Sequence, residues 1–496
     1  MRHHWTHAKS NQSPVTETSD SLERRRGPNH RWWVLLTVMI GTVASIMSAT
    51  IVNVAVPDMS RVFTLGQERA QWMSAGFMAA MTISMLTTPW LLDRFGYRST
   101  YVAVVCLLMT GGIGGGLGWS FEWVLAMRVA EGLAAGVLQP IPGIIIMHAF
   151  GREEQGKAIS VFGIGVVLAP AVGPSVGGVL VEAFGWRSIF FVVVPFCLAA
   201  VWLARRYLPH SAPGGVEVNR DRRRFDLPGL ALLALAILSL LNGMVHLHGR
   251  QHGVAFGLLA LAALSLAAFI VHQRRSAHPL MRLDLFRHRQ FGFGGCVAFI
   301  YGAALFGSTY LVPVFMQIAL HLPPSQAGVV LLPAGIVLAL TILVAGRLND
   351  RVPVHRLVSF GLVLLALSFL LMVWVGTATA LWVITLWAVI GRIGLGFVLP
   401  SLNLGAMRGL PPALISHGSS TINFMRQLGG AVGVSLAGIF LEWRLQANEA
   451  SGTGLDAAGA QLGAFHQTFL LLALITASAV AAAWRMREPV TKPVPL

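Results

Sequence analysis

Of the 20 acidic residues in this 496-residue chain, Glu131 is the one set well inside a long apolar run; Asp58, Glu122, Glu182 and Glu442 lie near the ends of such runs. It stands three residues after an arginine, in Arg128-Val129-Ala130-Glu131-Gly132-Leu133-Ala134-Ala135-Gly136-Val137-Leu138-Gln139-Pro140. At about 100° per residue, Arg128, Gly132, Ala135, Gly136 and Gln139 share one side of a helix, with Glu131 at its edge. An ionised group near mid-bilayer costs about 2.5–3.5 kcal/mol even on the lenient insertion scale. Two charges and an amide on a strip of small residues therefore predict a face toward a water-filled cavity, where the Glu131 carboxyl takes up and releases a proton beside Arg128. A static ion pair that fixes helix packing is the competing expectation.

Other residues suit binding or motion. Asn53 and Gln139 can offer polar contacts in an apolar cavity, or can bond across helices. Arg392 and Arg426 also fall inside apolar runs, where they suit an anionic or neutral ligand or a structural bond to helix carbonyls. The short loop Asp93-Arg94-Phe95-Gly96-Tyr97-Arg98 has a glycine for a tight turn and an acid able to meet basic groups or a helix end, as a gate would. Asp350-Arg351 repeats its charges 257 residues later, and Arg392 follows Arg128 by 264. In Pro170-Ala171-Val172-Gly173-Pro174-Ser175-Val176-Gly177-Gly178, Gly173 and Gly177 permit close helix approach, and Pro170 and Pro174 remove backbone donors. That combination suits a pivoting element, and plain close packing is the alternative.

The elements that must position these residues are membrane helices. Apolar residues make up 55% of the chain and charged residues only 11%, against about 25% charged in soluble proteins. So few charges cannot cover a soluble fold of this size, and disorder needs low hydrophobicity. Apolar runs predict fourteen spans, near 32–57, 69–92, 99–118, 122–148, 157–183, 186–204, 228–247, 252–272, 291–317, 326–346, 357–377, 380–405, 415–441 and 467–484. With the N-terminus inside, 28 of the 36 Lys and Arg residues fall on the inner side and five on the outer, which predicts both termini in the cytoplasm.

The net charge of +16 is thus an orientation signal, not a sign of nucleic acid binding. The expected class is an all-α polytopic membrane protein: a polar cytoplasmic tail (1–31), a six-helix bundle (32–206), linkers (207–290) flanking an extra helix pair (228–272), a second six-helix bundle (291–486) and a short cytoplasmic tail (487–496). Two parallel repeats with a site at their interface form the plan of rocking secondary transporters. Neither a P-loop nor a G-x-G-x-x-G sequence occurs, so no cofactor is expected. The 16 histidines and three cysteines form no metal-ligand pattern.

Several stretches together resemble the 14-span drug:proton antiporters of the major facilitator superfamily. They are Thr50 to Pro57, the Asp93-Arg94-Phe95-Gly96 loop, Arg128 with Gly132, Gly173-Pro174, Gly185-Trp186-Arg187-Ser188-Ile189-Phe190, Phe225-Asp226-Leu227-Pro228-Gly229 and Arg426-Gln427-Leu428-Gly429-Gly430. The match runs in order over about 32–486. The resemblance implies a multidrug efflux transporter, not an enzyme, that exports hydrophobic or amphipathic compounds across the cytoplasmic membrane in exchange for protons, and so contributes to antibiotic resistance. It also implies that the Gly-Pro stretch marks an antiporter. Two departures stand out: the family usually has an acid two residues before Thr50, where this chain has Ser48, and commonly has Gln where this chain has Glu131. The expectation is that the membrane carboxylate has moved from span one to span four. A dedicated exporter of one metabolite, with or without proton coupling, is the nearest alternative, and a membrane-embedded enzyme or receptor a remote one. The outer segment 442–466 is too short to dock much, which gives little support to a periplasmic adaptor.

Overall fold

A computed structural model describes residues 27, 29–65, 67–210, 224–248, 252–450 and 457–487. The expected N-terminal tail up to residue 26, most of the linker before span seven and the end of the C-terminal tail lie outside them. All regular structure among the described residues is helical. Thirteen helices are long and apolar enough to cross a membrane. The expected span five is one further unbroken helix, Arg152–Phe184, of 33 residues, or about 50 Å at 1.5 Å per residue. Its two main neighbours both qualify as spans.

Span one is His30–Val62. Span two (Trp72–Phe95 in its apolar part) passes through a 3-10 turn at Met85–Thr87. Span three is Tyr97–Gly116. Span four, Phe121–Ala149, opens on Ser120, whose hydroxyl accepts the Trp123 N–H at 3.2 Å, and is interrupted at Gln139–Pro140, where proline supplies no backbone donor. Span six is Ser188–Tyr207. These five and span five form the first bundle: span one lies against five and six, and span four against two and three.

Spans nine (Arg289–Ile318), ten (Pro324–Asn349), eleven (Val354–Met372), twelve (Leu381–Met407), thirteen (Ile415–Ala450) and fourteen (Ala457–Trp484) form the second bundle. Its core includes Phe315, which meets Phe465 and Phe469 edge-on. Helix continues beyond the apolar runs here, so all of the described part of the expected outer loop at 442–466 belongs to spans thirteen and fourteen. Hydropathy reports where the bilayer ends, whereas Ala, Leu, Gln and Glu sustain helix into water. Asn448 Nδ2 donates to the Ala460 carbonyl at 2.9 Å and ties the two extensions together.

Spans seven (Leu227–His248) and eight (His252–Arg275) pack mainly on each other, and span seven also touches spans two and thirteen. Asp226 anchors their base. Its carboxylate accepts from the Gly229 N–H at 2.9 Å and Gln273 Nε2 at 2.8 Å, and lies 2.6 Å from His272 Nε2. Burial acts to raise this carboxyl, but His272, Gly229 and Gln273 together hold it below its ordinary value.

Candidate functional site

Span four sets Arg128 and Glu131 one turn apart, with Arg128 Nη1 donating to Glu131 Oε2 at 2.7 Å. Ser48 of span one completes the cluster. Its hydroxyl donates to Glu131 Oε1 at 3.1 Å and accepts from Arg128 Nη1 at 2.9 Å, and its carbonyl accepts the same Nη1 at 3.2 Å. Span two adds the Met73 carbonyl, 3.3 Å from Arg128 Nε, and the Phe77 ring, whose centroid lies 4.3 Å from the guanidinium carbon. The exposure of Arg128 is 0% and of Glu131 1%, and Arg128 Nη2 is buried without a partner among the described residues. Gly111 of span three makes room for the acid, since a Cβ there would come within 2.6 Å of Glu131 Cγ.

The expected face toward a cavity is therefore corrected. Arg128 and Glu131 lie inside the first bundle, between spans one, two, three and four, because the small residues of this strip admit neighbouring helices in place of water. Ser48, the departure on span one, bonds directly to Glu131, the departure on span four.

A cavity of ≈ 40 Å³ does lie on the seam between the bundles. Gln139 and Arg426 reach it, together with Asn403, Ser419 and Asn423 of spans twelve and thirteen. Arg426 Nη2 donates to Asn423 Oδ1 at 3.1 Å, and its Nε is buried without a partner among the described residues. Asn53 and Arg392 are elsewhere. Asn53 is exposed and accepts from the Ser74 hydroxyl at 2.6 Å. Arg392 lines a separate pocket of ≈ 20 Å³ within the second bundle. Asn403, Ser419 and Asn423 escaped the sequence reading; the signal was available for the two asparagines, since amides inside apolar runs are as unusual there as Gln139.

The residues expected at a gate divide by position. Gly96 ends span two at φ +79°, and a Cβ there would lie 2.6 Å from the His210 carbonyl. Arg98 Nε donates to the Leu208 carbonyl at 2.6 Å, within the first bundle. Arg94 and Arg351 are exposed. Asp93 lines a cleft of ≈ 1010 Å³ beneath the inserted pair. Asp350 instead crosses the seam, its Oδ1 accepting the Gly156 N–H of span five at 3.1 Å. Burial raises its carboxyl above the ordinary value, opposed by that N–H and by Arg408.

Other bonds between the bundles cluster at the same end. Ser160 donates to the Ile342 carbonyl at 3.2 Å and Ser419 to the Pro140 carbonyl at 2.9 Å, while His148 Nε2 lies 3.3 Å from the Pro412 carbonyl. Gly156 and Gly346 bring spans five and ten into backbone contact here. Toward the opposite ends of these helices, a Cβ at Gly178 or Gly328 would meet nothing within 4 Å. Gly173 and Gly177 press on span one at Thr50 and Ile51. Helix continues unbroken through exposed Pro170 and through Pro174, whose side chain lies outside the described residues.

Two six-helix bundles clasped at one end, with charged and polar groups buried in and between them, define a transporter fold. The sequence matches the Major Facilitator Superfamily over residues 38–434. The chain belongs to that family, and is a multi-pass membrane transporter rather than an enzyme. It is 29% identical over 442 residues to the multidrug resistance protein B homolog of Mycobacterium tuberculosis strain H37Rv, covering 86% of this chain and 79% of that one. It is 25% identical over 419 residues to the riboflavin transporter RibZ of Clostridioides difficile, covering 84% and 90%. Its fold is like that of the proton:xylose symporter XylE, with a TM-score of 0.62 at 12% identity over 90% of this chain and 95% of that one.

Proposed function

We propose that the protein exports hydrophobic or amphipathic compounds across the cytoplasmic membrane in exchange for protons, with Glu131 as the proton-carrying group. The single observation that carries this reading is the buried Ser48–Arg128–Glu131 cluster. A carboxylate held by one guanidinium and one hydroxyl changes its bonding when it is protonated: attraction to Arg128 weakens, and Glu131 becomes a donor itself. Arg128 then rests on the Met73 and Ser48 carbonyls, on helices two and one. Proton uptake thereby alters how spans one, two and four are held together, which is a means of shifting a bundle between two arrangements.

The positive-inside bias supports a cytoplasmic place for the clasped end, and on that reading the described arrangement is closed to that side. Asp350 and Gly156 latch it, with Asp93, Arg94, Gly96 and Arg98 forming the loop of the first bundle and Arg351 its counterpart. The Gly173–Gly177 face of span five is the surface on which that helix tilts. One proton moving inward contributes about 2.3 kcal/mol per 100 mV of membrane potential. The likeness to multidrug resistance proteins supports a drug substrate; the likeness to RibZ favours, as a second reading, one dedicated metabolite.

The test is transport of a panel of lipophilic fluorescent compounds by proteoliposomes under an imposed pH gradient. Wild type should accumulate some of them against their gradients; Glu131→Gln should lose that accumulation yet retain exchange at equilibrium; and Ser48→Asp with Glu131→Gln should recover part of it, since Ser48 directly contacts Glu131. Full gradient-driven accumulation by Glu131→Gln would remove Glu131 from coupling, and accumulation of a single compound would favour the second reading.

A further inference from the structure

The two bundles differ in how they satisfy an arginine set among their helices: Arg128 is buried and Arg426 half-buried. In the first, Arg128 has a carboxylate supplied by the chain itself, Glu131 at 2.7 Å. In the second, Arg426 faces the seam cavity, whose lining contains no Asp or Glu. Among the described residues its one hydrogen-bond partner is the neutral amide of Asn423, and its Nε is buried without any. A guanidinium is a fixed, always charged fork of donors matched to carboxylate, and it is costly to bury without a counter-charge. The lining adds the neutral amides of Asn403 and Gln139 beside apolar surface from Ile146 and Phe162. This combination is a polar headgroup socket continuous with an apolar wall.

We propose that Arg426 is the headgroup site for an anionic solute, and that the protein selects amphipathic carboxylates over cations of the same size and shape. The proposal rests on the transport reading above and names its substrate class. A carboxylate accepts two bonds from the guanidinium fork and meets the amide donors of Asn403 and Gln139, while its apolar part lies along the span four and span five side chains. A cation at the same place meets an uncompensated like charge. The cavity of ≈ 40 Å³ admits a headgroup in this clasped form; the remainder of a solute needs the bundles to part.

The probes are three compounds sharing one apolar body: 1-pyrenebutyrate, its primary amide, and the corresponding trimethylammonium compound. Binding to the full-length protein in nanodiscs is read by energy transfer from its 14 tryptophans, with empty nanodiscs as background. The wild type should bind the carboxylate at least tenfold more tightly than the amide or the cation. Arg426→Gln should lose at least tenfold for the carboxylate and much less for the amide, while Arg426→Lys should keep part of the preference. Should Arg426→Gln fail to fold, Asn403→Asp serves: an acid beside Arg426 should weaken the carboxylate far more than the amide and so abolish the preference. The proposal is overturned if the wild type binds the amide or cation as tightly as the carboxylate, if it binds none of the three, or if a folded Arg426→Gln or Asn403→Asp keeps the full preference. Transport of the same probes separates this failure from that of the transport reading. Arg426-dependent binding without transport leaves the site and removes the export function, whereas gradient-driven transport with no charge preference does the reverse.

Discussion

At the scale of single residues, the cluster in the first bundle is a network whose members depend on one another. Arg128 donates to Glu131 and Ser48 with one nitrogen, and Ser48 returns a hydrogen bond to Glu131. Removing one partner of a buried ion pair costs about 3–5 kcal/mol, because the other is left uncompensated. Arg128→Met should therefore lower the stability of the detergent-solubilised protein on that order. Arg128→Met with Glu131→Gln should cost less than the two single changes added, and thermal unfolding of all four proteins measures the coupling. Additive losses would mean that Glu131 is held by groups other than Arg128. The identities of this cluster were legible in the sequence, because two charges in an apolar run and an unusual serine are conspicuous there. Its direction was not. Helices that are apolar all round carry no periodic signal to say which side meets the other bundle, so Arg128 and Glu131 were expected on the cavity while Asn403 and Asn423, which line it, passed unnoticed.

At the scale of elements, the clasp between spans five and ten rests on the absence of side chains at Gly156 and Gly346. A Cβ at Gly346 would collide with Ser160 and with the Gly156 carbonyl. Gly346→Val should force these helices apart at that end and shift the protein toward the form open there. The shift is measured by maleimide labelling of a cysteine at Asn403, in a chain whose Cys106, Cys197 and Cys296 are replaced by alanine. Labelling from the clasped side should rise severalfold over the Gly346 protein; unchanged labelling of a folded variant would show that this contact does not hold the gate. The acid repeated in the loops after spans two and ten was visible as a spacing of 257 residues. That Asp350 would cross to the Gly156 N–H was not, since it depends on how far apart the bundles stand.

At the scale of the whole molecule, fourteen helices were legible because hydropathy and helix length agree over most of the chain. The disagreement is largest at the facing ends of spans thirteen and fourteen, where helix outlasts the apolar run by nine or ten residues, and smaller at the start of span five and the end of span one. The proposed orientation rests on the lopsided placement of 28 inner and five outer basic residues. Green fluorescent protein fused at either terminus should fluoresce, and alkaline phosphatase at either terminus should be inactive; an active phosphatase fusion would reverse the assignment of inside and outside.

The inserted pair also breaks the symmetry of the molecule within the plane of the bilayer. Two seams run between the bundles, one beside spans two and thirteen and the other beside spans five and ten. Side chains of spans two, four, seven, eight and thirteen, among them Phe77, Met81, Leu233, Phe269 and Phe424, share one apolar cluster. Spans seven and eight thus stand as a shutter along the first seam, shielding it from lipid tails, while the second has no such cover from the pair. The two seams are therefore closed by different means: the inserted pair screens the first, whereas the second is closed by the packed faces of spans five and ten themselves.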